Sequence, residues 1–81
     1  MTRRCSVGTA TQSVVFPERW GVTQARRWLA THGLRSPKVD RTATELRFRQ
    51  RPPGGCRRGT FASIPMGRTG VRKIICCPKG R

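Results

Sequence analysis

Acidic residues are scarce in this 81-residue chain: Glu18, Asp40 and Glu45 are the only three. Carboxylates so few and so far apart in sequence do not make the site of a metal-ion nuclease. His32 is the single histidine, and its place on the apolar stripe of a helix reads as a partly buried core residue, not a general base. No stretch approaches the ~18 apolar residues of a membrane span. The basic segment Met1-Thr2-Arg3-Arg4 is not followed by the apolar run of a secretory leader, so a cytoplasmic protein without an anchor is expected. Apolar residues make up only 35% of the chain. A domain this small buries little more than about 60% of its unfolded surface, which leaves little room for a catalytic cleft. Neither an enzyme nor a cofactor is expected.

Positive charge is abundant. Eighteen residues are Lys or Arg, giving a net charge of +15; all but Lys38, Lys73 and Lys79 are Arg. Each phosphate neutralised by such a side chain releases counterions, so the composition predicts salt-dependent, non-specific binding to a polyanion. The planar guanidinium fork suits bidentate phosphate contacts. DNA or RNA held by its backbone is the first expected partner, and an acidic protein surface is the second.

Along the chain, residues 1–11 are polar and without periodicity and read as a mobile basic tail, leaving 12–81 as one domain. Val14, Val15 and Phe16 favour a strand over 12–16 that Pro17 ends. Thr23 is a candidate N-cap for a helix whose apolar stripe is Ala25, Trp28, Leu29 and His32, with Gly33 as its stop. Arg26 and Arg27 then face solvent. A turn at Ser36-Pro37 leads to a short strand over 38–40. Residues 44–51 alternate strictly, Leu46 and Phe48 on one face and Glu45, Arg47, Arg49 and Arg51 on the other. The segment 52–59 reads as an exposed basic loop. Strands over 60–64, with Phe61 inward, and 71–77 complete the chain. The predicted fold is α+β, in the order β-α-β-β-β-β: one helix packed on a mostly antiparallel sheet of four to five strands.

Four cysteines, Cys5, Cys56, Cys76 and Cys77, allow three pairings in an oxidising compartment. Adjacent Cys76 and Cys77 point to opposite faces of a strand, which is poor spacing for zinc even with His32 as a fourth ligand. Four reduced thiols and no metal are the expectation.

A sheet covered by one helix has an open face. Same-face neighbours on a strand lie roughly 6–7 Å apart, near the phosphate spacing of a nucleic-acid strand. Arg47, Arg49 and Arg51 are therefore the expected phosphate track, extended by Arg57, Arg58 and Arg72, with Arg26 and Arg27 as further contacts. Aromatic stacking on bases is not expected, because of the five aromatic residues only Trp20 is left free of the predicted core.

The chain resembles a small domain of tailed-phage proteins, found alone or embedded in prohead-protease and XkdF-like head-gene products. The resemblance rests on Phe16-Pro17, Trp20, Ala25-Arg26-Arg27-Trp28-Leu29, His32-Gly33, Lys38-Val39-Asp40 with Thr42, and Arg47-Phe48-Arg49-Gln50. It continues through Gly59-Thr60-Phe61, Ile64-Pro65, Gly70-Val71-Arg72 and Pro78-Lys79-Gly80. It implies a phage or prophage origin, and hence the host cytoplasm or the virion as location. No activity carries over with it. The cysteines and the basic loop depart from the pattern.

Overall fold

The computed structural model describes residues 5, 8–36 and 38–79. Five strands, β1 (Ala10–Pro17), β2 (Val39–Arg41), β3 (Glu45–Arg49), β4 (Ala62–Pro65) and β5 (Arg72–Cys76), and one helix, α1 (Val22–Thr31), make an α+β domain. The sheet runs β2-β3-β1-β5-β4 with every neighbouring pair antiparallel. The central strand β1 is thus flanked by two hairpins, β2–β3 and β4–β5. No helix among the described residues is long and apolar enough to cross a membrane.

β1 begins earlier than the run of β-forming residues indicates, because Ala10 and Thr11 pair with Cys76 and Ile75 of β5. The register shifts between Thr11 and Ser13. At this irregularity the Gln12 carbonyl accepts from the amides of Gln50 (2.7 Å) and Arg51 (3.2 Å), and its side-chain amide donates to the Arg51 carbonyl (2.9 Å). The extra residue therefore ties the end of β3 to the centre of the sheet. Of the expected basic tail, residues 1–4, 6 and 7 lie outside the described residues, and Cys5 is bonded to Cys77. Pro37, expected in a turn, also lies outside them.

Thr23 does not cap the helix. A 3₁₀ turn over Glu18–Trp20 delivers the chain to Gly21, which takes the N-cap position at φ 75°, and the Ala25 amide donates to its carbonyl. Ala25 and Leu29 are buried beneath the helix, while Arg26 and Arg27 are exposed as expected. His32 is not part of the core: it is exposed just past the helix end, its ring stacked on Trp28 at 3.7 Å. The stripe runs out there because the helix ends at Thr31.

Val14, Phe16, Ala25, Leu29, Leu46, Phe48 and Val71 form the core, with Trp20, Trp28, Val39 and Met66 packed around it. Phe16 is its hub, with ring centroids 5.2 Å from Trp20, 5.5 Å from Trp28 and 5.6 Å from Phe48. The last two contacts are edge-to-face, the favourable quadrupolar arrangement. Trp20, expected to be free, is half-buried and donates its indole N–H to the Thr69 carbonyl at 3.1 Å. Phe61 is the converse case: expected inward, it is 45% exposed. It lies just before β4, an edge strand beyond the reach of the single helix. Gly70 must remain glycine, since at φ 82° a Cβ there would sit 2.8 Å from Pro17 Cγ.

The cysteines are the largest correction. Instead of four thiols there are two disulfides, Cys5–Cys77 with Cα atoms 5.4 Å apart and Cys56–Cys76 at 5.7 Å. Side chains alternate at the end of β5, so adjacent cysteines reach different partners. The alternation that argues against shared zinc ligation is what permits two separate bridges.

Candidate nucleic-acid interface

The registers define the face of the sheet away from the helix; it is not the open face the sequence leads one to expect, since Ser13 and Val15 at its centre are buried. Asp40 of β2, Arg47 of β3, Val15 of β1, Arg72 of β5 and Pro65 of β4 form one row across it; Arg49, Ser13, Ile74 and Ser63 form the next. Arg47 and Arg49 are exposed and alternate with buried Leu46 and Phe48, as the sequence pattern requires. Two of the three acidic residues share this face. Glu45 accepts from Arg72 at 2.5 Å, and Asp40 lies 3.9 Å from Arg49. The three arginines of the face thus meet two carboxylates, and Arg47 alone has no such partner among the described residues.

Arg51 does not continue the β3 row. The strand ends at Arg49, and Gln50 and Arg51 turn inward on the Gln12 carbonyl. Gln50 then reaches across to the segment after α1, accepting from the Arg35 amide at 2.8 Å and donating to the Arg35 carbonyl at 2.7 Å. A side-chain amide here reproduces the paired hydrogen bonds of a β-bridge and brings Arg35 beside Arg51. Arg35, Lys38, Arg49 and Arg51 line one open depression of about 340 Å³ with Asp40, Gln50 and Pro52.

Arg57 and Arg58 are exposed at the same end of the sheet. Their loop is anchored to the end of β5 by Cys56–Cys76, by the Arg57 amide on the Cys77 carbonyl (2.8 Å) and by the Lys79 amide on the Gly55 carbonyl (2.9 Å). Arg26 and Arg27 lie elsewhere, on the helix layer that covers the other face; Arg26 extends over the Phe48 ring, 5.9 Å from its centroid. The eight arginines singled out from the sequence therefore occupy three surfaces: Arg47, Arg49 and Arg72 on the sheet face away from the helix, Arg51, Arg57 and Arg58 at one end of the sheet, and Arg26 and Arg27 on the helix.

The end at which β3 and β5 finish carries two groups of cations: Arg35, Lys38, Arg49 and Arg51, which share a depression with Asp40, and Arg57, Arg58 and Lys79, which lie by the end of β5. At the opposite end, Arg19, Arg41 and Arg68 accompany Glu18 and Glu45, and Arg72 reaches Glu45 from the row it shares with Arg47 and Asp40. Arg35 and Lys38 had no sequence signature as site residues. Their placement follows from the Gln50 bridge, which joins residues 15 apart in sequence. No family profile, curated protein or solved structure matches the chain.

Proposed function

We propose that the protein is a nucleic-acid-binding module that grips a phosphate backbone through the cationic rim where β3 and β5 end, with the exposed Arg47 extending the contact along β3. The observation that carries this reading is the separation of charge among the described residues: Arg35, Lys38, Arg49 and Arg51 share one depression with Asp40, Arg57, Arg58 and Lys79 lie at the same end of the sheet by β5, and Glu18 and Glu45 lie at the other end. A rim of this sign raises the local concentration of a polyanion and steers its approach. Binding rather than catalysis fits the polar groups present, since His32 is stacked on Trp28 and Glu45 is held by Arg72.

A phage or prophage origin belongs to the same reading and rests on the sequence pattern. Of its two locations, host cytoplasm and virion, the two disulfides favour the virion, because reducing cytoplasm does not sustain them. The second reading, docking on an acidic protein surface during assembly, is favoured by the exposed Phe61 just before the edge strand β4 and the exposed Ile64 on it.

Equilibrium binding of mixed-sequence DNA and RNA across a salt series tests the proposal. About six phosphate contacts predict a slope of log K against log salt near −5 on duplex DNA. Asp40→Asn, which removes the one carboxylate of the rim, is expected to tighten binding several-fold, whereas Glu45→Gln at the far end is expected to change it less. Equal effects of the two variants would place the contact elsewhere. A protein that binds neither nucleic acid, yet captures an acidic partner from nuclease-treated lysate, belongs to the second reading.

A further inference from the structure

The depression between Arg35, Lys38, Arg49 and Arg51 concentrates more positive charge than an internal phosphodiester can use. Such a diester carries one negative charge, and its neighbours lie roughly 6–7 Å away, a spacing that matches residues strung along a strand. Here four cations from two segments, the α1–β2 connection and the end of β3, surround one volume of about 340 Å³, offset only by Asp40. Asp40 is a weak competitor, since it lies 3.9 Å from Arg49 and both side chains are half exposed. The backbone around the depression is fixed: Gln50 holds both polar groups of Arg35, and the amides of Gln50 and Arg51 are already bonded to the Gln12 carbonyl. The donors left for a ligand are side-chain guanidinium and ammonium groups on an anchored frame. A volume of this size lies at the lower end of small-molecule sites, about 300–1,000 Å³.

We infer that this depression is a phosphomonoester site, one that takes a terminal phosphate together with the sugar that bears it. A monoester phosphate carries about −1.5 to −2 charges near neutral pH and offers three strong acceptor oxygens. Bidentate guanidinium contacts from two or three sides match that geometry. The inference rests on the proposed nucleic-acid binding only for the source of the phosphate: a strand end or a free nucleotide presents the same group.

The test compares one oligonucleotide with and without a 5′-terminal phosphate at near-physiological salt, alongside amide chemical-shift mapping with inorganic phosphate and with adenosine monophosphate. The phosphorylated strand is expected to bind about tenfold tighter, the equivalent of one charge-assisted hydrogen bond. Arg35→Gln with Lys38→Gln is expected to bring the ratio to about one while leaving the thermal melt nearly unchanged; both strands lose affinity with the two rim charges, so the ratio and not the absolute affinity reads the site. Shifts from inorganic phosphate and the nucleotide are expected at Arg35, Gln50 and Arg51. A ratio near one with no localised shifts would overturn the site and leave backbone binding intact. Localised shifts with no binding of either strand would support the site, assign it to free phosphate compounds, and remove the nucleic-acid reading. Localised shifts with both strands bound equally would also support the site, with a free phosphate compound as its occupant.

Discussion

Reduction of the two disulfides is expected to unfold the protein at room temperature. Cys5–Cys77 closes a separation of 72 residues and Cys56–Cys76 one of 20. The chain-entropy relation assigns these loops about 4 and about 3 kcal/mol. Total stability for a domain of this length is about 4–12 kcal/mol, and repulsion among fifteen excess positive charges lowers it further. Losing about 7 kcal/mol therefore removes most or all of the folding free energy. Far-UV circular dichroism with and without reductant measures this, with thiol titration of the denatured, unreduced protein expected to find no free groups. Pairwise replacement by serine separates the bridges, and the Cys5/Cys77 pair is expected to cost more. An unchanged melt after verified reduction would show that the α1–sheet core is sufficient alone.

Phe16→Ala is expected to destabilise the domain by about 3–5 kcal/mol, a fall in melting midpoint of roughly 15–30 °C for a chain of this size. Phe16 is fully buried on the central strand, and its ring is the common neighbour of Trp20, Trp28 and Phe48. Truncation would leave a cavity that three anchored aromatic rings cannot collapse to fill. Phe61→Ala is the contrast. Chemically the same substitution, it falls on a side chain 45% exposed and off the core, and it is expected to move the midpoint by only a few degrees. Similar losses for the two variants would contradict the placement of the helix over β1 and β3.

The parts of the fold that were legible are those whose cause is local. Alternation over Glu45–Arg49 declares which face Leu46 and Phe48 bury, and the run Val14-Val15-Phe16 followed by Pro17 marks a strand and its end. What was not legible depends on which strands become neighbours. Cys56 and Cys76 meet because β5 pairs with β1 and the loop after β3 returns to that end; sequence spacing holds no record of it. Phe61 reads as core until β4 is seen to be an edge. The candidate site follows the same division. Arg47 and Arg49 were visible from their period, whereas Arg35 and Lys38 joined the rim only through a glutamine side chain bonding a distant backbone. The compensation of Arg72 by Glu45 likewise required the sheet order, since the two residues sit on strands separated by β1.

The most direct test of the rim as the polyanion site is the salt dependence of binding for two variants of equal charge. One replaces Arg49, Arg51 and Arg58 by glutamine, and the other replaces Arg19, Arg41 and Arg68. Both lower the net charge by three, so bulk electrostatics predicts the same loss for each. The rim account predicts that the slope of log K against log salt on duplex DNA falls by about three in the first variant, at roughly 0.9 per phosphate contact, and stays near the wild-type value in the second. Equal slopes for the two variants would contradict it and leave net charge alone as the source of binding.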